Sequence, residues 1–307
     1  MTGGPDGSAG AGVAAVVVNY ESGDELAACV AGLGQEHPAE IVVVDNGSED
    51  GSVQRCRERF PGVVVIAPGR NLGYGAAANR GMAATSSDLV LVCNPDLVVS
   101  PGAVRELADA LAGDPRAGLA GPLLRSASGD RYPSARRFPS LVDAAGHALI
   151  GIFNPDNRFT RAYQQAELAD DTRGTRTVDW VSGACFVVRR TAFEDVGGFD
   201  ESYFMYLEDV DLCRRLGRAG WTTLYVPRAE AVHLQGTSTA RHPYRMVVEH
   251  HRSLLRFAVS STEGWRRVLL PLVAAGIGTR AVLATLRLWW VGGPGRSGPT
   301  GPPTHTL

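Results

Sequence analysis

The chain has 307 residues, 44% of them hydrophobic, with 20% charged residues and a formal net charge of -2. That profile supports a sizeable folded core and excludes a disordered chain. The charge is unevenly placed. From Arg241 to Leu307 there are nine Arg against Glu249 and Glu263, or 9 − 2 = +7, which leaves −9 for the rest. The basic end predicts contact with something anionic, such as a phospholipid surface or a diphosphate. The acidic remainder and the lack of a recognisable DNA- or RNA-binding motif argue against nucleic acid. All 30 basic residues are Arg, which reads as codon bias rather than function. Five scattered cysteines with no CxxC pair predict a reduced, cytoplasmic protein.

Residues 1–12 lack a basic and then apolar start and read as a flexible leader, not a signal peptide. VAAVVV (13–18) is a continuous β-branched run of the kind buried in parallel sheets. A helix over 24–34 follows, with Asp24 as a candidate N-cap. Strands are predicted at 41–44, 63–67 and 88–94, and helices at 50–60, 74–84 and 101–113. This alternation predicts a parallel sheet with right-handed crossovers and ligands beyond the carboxyl ends of its strands. Tyr20, Asp45, Asn71 and Asp96 all fall just past such ends.

Residues 125–175, polar and Arg-rich, predict a long loop or lid. A strand over 178–190, a helix over 191–196 closed by Gly197-Gly198, and a strand over 221–227 leading to His233 follow. The tail has a helix over 244–258 and an apolar segment over 265–291 interrupted by Arg280 and Arg287. Its longest uncharged stretch reads as too short to span a bilayer. An in-plane membrane anchor suits its Arg and Trp content, and an amphipathic helix packed on the domain is the alternative. Residues 293–307 read as a disordered tail.

Several short segments bear chemistry, each with a plainer alternative. Asp45 can accept hydrogen bonds from a base or ribose, or start an Asx turn. Arg70-Asn71-Leu72-Gly73 precedes a helix whose N–H groups favour phosphate, or is a simple glycine turn. Asn94-Pro95-Asp96 places a carboxylate where a hard divalent cation can bind, or ends a strand. Glu208-Asp209-Val210-Asp211 crowds three carboxylates into four positions. That suits a general base of raised pKa, or an acidic helix start paired with Arg214 and Arg215. His233 can ligate a metal or be structural. The Gly-rich stretch before the first strand is not a dinucleotide fingerprint, which must follow a strand.

Taken together, Val-Val-Asn-Tyr (17–20), Val-Asp-Asn-Gly-Ser (44–48), Arg-Asn-Leu-Gly (70–73), Asn-Pro-Asp (94–96), Gly-Gly-Phe-Asp-Glu (197–201), Glu-Asp-Val-Asp-Leu (208–212) and His233 resemble the family 2 glycosyltransferases over residues 13–240. The resemblance implies an α/β GT-A fold, a Rossmann-like mixed sheet mainly parallel in its N-terminal half. It implies a nucleotide-binding half at 13–100 and an acceptor half at 101–240, while residues 241–292 read from their own composition as a helical, membrane-associated segment. Tyr20 and Asp45 would line the base and ribose pocket, with Arg70, Asn71, Gly73 and Asn94 beside the nucleotide. Asp96 and His233 would hold Mg2+ or Mn2+, Asn94 standing where the family's DxD-like motif often has its first Asp. Trp180, Gly183 and Asp211 would border donor sugar and acceptor. Asp209 would be the base, with Glu208 orienting the acceptor or the base. Within the family the motif set is similar to actinobacterial rhamnosyltransferases. That implies dTDP-L-rhamnose as donor, polyprenyl-diphospho-GlcNAc as acceptor, and a cytoplasmic protein at the inner membrane face, with an oligomer left open. A sugar nucleotidyltransferase is disfavoured because the first strand ends in Asn-Tyr-Glu-Ser rather than a Gly-rich loop. A non-catalytic sugar-nucleotide sensor or scaffold is disfavoured by the intact Glu208-Asp209 pair.

Overall fold

The computed structural model describes residues 12–138, 174–234 and 243–291. Residues 1–11 of the predicted leader (1–12), residues 139–173 of the predicted lid (125–175) and the predicted tail (293–307) lie outside the described residues.

The chain begins as expected: β1 (Val13–Asn19), α1 (Glu25–Gln35), β2 (Ile41–Asp45), α2 (Ser52–Arg59), β3 (Val64–Ile66), α3 (Tyr74–Ala83) and β4 (Leu89–Cys93). Asp24 stands at the N-cap of α1 but makes no capping side-chain bond. Its carboxylate instead faces Arg55 at 3.0 Å. The strands are continuous apolar runs because both sheet faces are covered. Val16, Val18, Val42 and Val44 enter one core with α3, and Val13, Ala15, Val17 and Val43 enter the other with α1 and α4 (Ala103–Gly113).

A three-residue strand, β5 (Leu97–Val99), precedes α4. It was not predicted from sequence, since it exists only by pairing with a strand more than 130 residues later. After α4 come β6 (Ala117–Arg125), β7 (Arg131–Tyr132) and β8 (Ala135–Arg136). The single strand expected over 178–190 is three pieces: β9 (Arg176–Val178), β10 (Trp180–Val181) and β11 (Cys185–Arg189). β10 leaves the main sheet to pair with β8, and Ser182-Gly183-Ala184 connects the two sheets.

α5 (Arg190–Asp195) ends as predicted, with Gly197 at φ 73° and the Gly198 N–H donating to the Phe193 carbonyl at 2.8 Å. α6 (Glu208–Arg218) and β12 (Thr222–His233) complete the sheet. β12 runs well past the predicted end at 227. Pro227 cannot donate to a ladder, and the register with β6 breaks between Val226 and Glu230 before pairing resumes.

The main sheet runs β3-β2-β1-β4-β11-β6-β12-β5. β1 to β4 are mutually parallel, and β11 is antiparallel to both β4 and β6. The carboxyl ends of β1, β2, β4, β6 and β12 therefore share one edge with the amino ends of β5 and β11. The ends of α7 (Pro243–Ser261) and α6 approach each other through Arg214, whose guanidinium bonds the Ser260 carbonyl at 3.0 Å, and an ion pair joins Arg218 to Glu263. A short 3-10 turn (Gly264–Leu269) leads into α8 (Leu270–Val291).

For this last segment the expected length needs correcting, and the alternative of a helix packed on the domain is disfavoured. The helical span Gly264–Trp290 is long and apolar enough to cross a membrane by length and composition, an 18-residue window within it having a mean hydropathy of 1.7. Nor does the domain cover the segment: none of that apolar window is buried. Trp265, Leu272, Leu286, Trp289 and Trp290 are all exposed.

Candidate active site

The shared edge is organised first by two buried asparagines, neither assigned a role from sequence. Asn19, fully buried at the end of β1, donates to Asp45 Oδ1 at 2.9 Å and lies 3.2 Å from both Ser48 Oγ and Ser52 Oγ. Asp45 accepts from the Ser48 hydroxyl at 2.6 Å and the Ser48 N–H at 3.2 Å. The Asx turn offered as the plainer reading of Asp45 is thus formed. Asn46 then clamps the Arg70–Gly73 loop, donating to the Gly73 carbonyl and accepting from the Leu72 N–H, each at 3.2 Å. Tyr20 is half-buried beside them.

The first two N–H groups at the helix start after Gly73 are used internally. The Gly73 N–H donates to Asn71 Oδ1 at 2.9 Å and the Tyr74 N–H to the Phe204 carbonyl at 3.0 Å. Gly73 is required there. Its φ is 90°, and a Cβ would stand 2.3 Å from the Phe204 oxygen.

Next along the edge, Asn94, Asp96 and His233 converge. His233 Nε2 lies 3.2 Å from Asn94 Nδ2 and 3.2 Å from Asp96 Oδ1. β12–β5 pairing places His233 opposite Leu97, which explains how residues 137 positions apart meet. His233 Nδ1 is buried without a hydrogen-bond partner, and Asp96 Oδ1, buried 3.2 Å from His233 Nε2, completes no hydrogen bond. Buried polar atoms left unpaired are costly unless something else engages them. A hard carboxylate oxygen suits Mg2+ or Mn2+, and an imidazole beside it favours Mn2+ over Mg2+. The residues fit a divalent cation, although among the described residues no cluster of three acidic, His or Cys side chains forms.

The acidic helix start is set by strain. Tyr206 and Leu207 adopt φ values of 69° and 67°. Two consecutive non-glycine residues in that region cost about 1–2 kcal/mol each. The turn is held from α7, where Ser253 Oγ donates to the Met205 carbonyl at 2.8 Å and His250 meets the Tyr206 ring edge-on at 5.2 Å. This aims Glu208 and Asp209 at the sheet edge. Asp209 accepts from the Gly183 N–H and from the Val210 N–H, each at 2.8 Å. A Cβ on Gly183 would stand 3.2 Å from that of Asp209.

Gly183 is also the join between the two halves of the site. The next residue, Ala184, accepts from the Asn94 N–H at 2.9 Å. Asn94, Ala184, Gly183 and Asp209 are therefore linked by two hydrogen bonds and one peptide bond. Asp96 and Asp209 belong to one edge.

Burial pushes the Glu208 carboxyl up to about 8, with the Asp209 charge adding to it. Asp209 is also raised, by burial, against the lowering effect of its two backbone bonds and of Arg136. Glu208 therefore keeps a proton in the folded protein that it sheds when unfolded, where its value is 4.5. Its contribution to stability is present below pH 4.5 and is lost as pH rises through 8. Replacing Glu208 with Gln should raise Tm relative to wild type progressively between pH 5 and 9. A Tm difference independent of pH would count against a proton held at Glu208.

Asp211 has a different place from the one the motif implies. It is buried against Arg215 Nε at 2.6 Å and Arg214 at 3.8 Å, and Arg215 in turn bonds the Val196 and Gly198 carbonyls at 2.7 Å. It ties α6 to the end of α5 rather than bordering a substrate. Trp180 is buried, its indole N–H donating to the Arg137 carbonyl at 2.9 Å. Tyr74, also unassigned from sequence, donates its hydroxyl to the Gly183 carbonyl from the opposite side. All five cysteines are buried and unpaired.

A mixed sheet of this order, with carboxylates collected at the edge where its parallel strands end, is the GT-A glycosyltransferase fold. Solved structures agree. The structure of GalNAc-T7 with UDP, GalNAc and Mn2+ superposes with a TM-score of 0.58 at 17% identity, over 80% of this chain and 47% of that one. The mannosyltransferase PcManGT from Pyrobaculum calidifontis, in complex with GDP-Man and Mn2+, superposes at 0.56 and 16% identity, over 93% and 76%.

Residues 10–253 match the family described as glycosyltransferase like family 2, and the chain belongs to that family of enzymes. It is similar to the N-acetylglucosaminyl-diphospho-decaprenol L-rhamnosyltransferase of Mycobacterium tuberculosis (strain H37Rv), 44% identical over 85% of this chain and 88% of the relative. It is also similar to rhamnosyltransferase WbbL of Escherichia coli (strain K12), at 26% over 71% and 81%.

Proposed function

We propose that this enzyme transfers L-rhamnose from dTDP-L-rhamnose to polyprenyl-diphospho-GlcNAc, with inversion, in cell-wall linker synthesis. The observation that carries the reading is the linkage from Asn94 through Ala184 and Gly183 to Asp209, which supports a base beside the strand end that carries Asp96. Likeness over most of its length to a rhamnosyltransferase named for such an acceptor supports the choice of substrates.

Asp209 takes the proton from the acceptor hydroxyl as that oxygen bonds to the anomeric carbon and the bond to the diphosphate breaks. Its oxygens are fixed by the Gly183 and Val210 N–H groups, so little reorganisation is needed at the moment of reaction. Burial and the Asp209 charge push the Glu208 carboxyl up to about 8, which disfavours a second negative charge beside the base. Asp96 and His233, beside Asn94, would hold Mg2+ or Mn2+, which supplies charge neutralisation for the departing diphosphate. Tyr20, Asp45, Arg70, Asn71 and Gly73 would line the nucleotide, and Trp180 and Gly183 the sugar and acceptor.

The same reading places the protein at the inner face of the membrane. The exposed tryptophans and leucines of residues 264–290, with Arg266, Arg267, Arg280 and Arg287, suit the interface between lipid tails and anionic headgroups. A panel of nucleotide sugars offered with polyprenyl-diphospho-GlcNAc in membranes, read by mass spectrometry, tests the substrates. A rhamnose adduct from dTDP-L-rhamnose alone is the expected product. A different adduct makes this another family 2 activity, and donor binding with no transfer makes it a sensor.

A further inference from the structure

Arg136 was not singled out from sequence, because only the folded chain brings it to the site. β8 pairs with β10 so that Arg136 stands opposite Trp180, and the Ser182 N–H donates to the Ser134 carbonyl at 2.8 Å in the same ladder. Gly183, which holds Asp209, is the next residue. The guanidinium carbon lies 5.2 Å from the centre of the Trp180 ring and 5.8 Å from that of Tyr132. Tyr132 in turn meets His233 edge-on at 6.4 Å. Arg136 therefore stands beside both ends of the site, the base and the cation-binding pair.

Its other contact is Nε donating to the Pro133 carbonyl at 3.0 Å. Other arginines of this fold are matched to acids: Arg125 to Glu230 at 2.9 Å, Arg215 to Asp211 at 2.6 Å. Among the described residues no carboxylate lies within ion-pair distance of Arg136. A half-buried guanidinium held by aromatic rings and without a bound acid is preorganised for a planar, multi-oxygen anion. Both substrates of the reaction proposed above carry that chemistry.

We propose that Arg136 is a substrate-binding residue that engages a diphosphate, either of the nucleotide-sugar donor or of the lipid-linked acceptor. The inference rests on the glycosyl-transfer reading for its substrates, but its test does not need turnover. Binding of dTDP by calorimetry and of polyprenyl-diphospho-GlcNAc in detergent micelles by tryptophan fluorescence are measured for wild type, Arg136→Gln and Arg136→Lys.

Loss of a charge-assisted contact predicts a roughly ten- to hundredfold weaker Kd for one of the two ligands in Arg136→Gln. Arg136→Lys, which keeps the charge without the fork, should lie between it and wild type. Weakening of dTDP alone assigns the donor diphosphate; weakening of the lipid alone assigns the acceptor. Both affinities unchanged in a folded Arg136→Gln protein overturns the proposal, as does equal weakening of both with a large fall in Tm. If Arg136→Gln does not fold, Arg136→Lys decides in the same way. Failure of the wild type to transfer rhamnose would overturn the proposed function while leaving these binding measurements decisive for Arg136.

Discussion

Asp209→Asn should bind dTDP-L-rhamnose as wild type does and lose transfer by about 10²–10⁴-fold in kcat. The amide keeps the shape of the side chain and an oxygen to accept from the Gly183 or Val210 N–H, so the edge should stay folded. What it lacks is the basic lone pair that takes the acceptor's proton. Donor affinity by calorimetry and single-turnover rates read by mass spectrometry separate the two effects. Near-normal turnover in Asp209→Asn would remove this residue as the base. Weakened donor binding with an unchanged rate on bound substrate would make it a donor contact instead.

The second large effect is expected at Asp96. Asp96→Ala removes the carboxylate oxygen buried 3.2 Å from His233 Nε2, and leaves the imidazole and the Asn94 amide without it. An imidazole and an amide without a carboxylate are a poor set for a hard divalent cation. Mn2+ affinity, followed by electron paramagnetic resonance of the free ion, should fall by about 100-fold or more, a loss on the scale of one charge-assisted ligand. The backbone should tolerate the change, since the Asp96 carbonyl, not its side chain, accepts from the Leu234 N–H at 2.9 Å. Unchanged Mn2+ affinity would place the cation elsewhere.

The first half of the fold was legible because its strands carry their own signal. VAAVVV and IVVV are β-branched runs buried on both faces, and a helical period separates them. The strands that escaped depend on partners far away in sequence. β5 is three residues held by β12, and β12 outruns Pro227 because its far end pairs again with β6 and with β5. The break at Ser182-Gly183-Ala184 falls inside residues 178–190, which read as a single strand, yet it brings Gly183 to Asp209. The site was legible as a set of motifs and less so as side-chain roles. Asp211 sits in the same acidic run as Asp209 but one helical turn before Arg215, and i,i+4 pairing claims it. Asn19, Asn46 and Arg136 act through contacts 26 or more residues away, beyond the reach of any local pattern. A buried asparagine ending an apolar strand was the one signal that could have flagged Asn19.

Anomalous-scattering maps from crystals soaked with Mn2+ and dTDP measure the central arrangement most directly. The expected map has one strong peak against Asp96 and His233, with the nucleotide phosphates on it and the open side of the bound dTDP turned toward Asp209. A peak at the opposite edge of the sheet, or a nucleotide lying away from Asp209, would contradict a single cleft holding both cation and base.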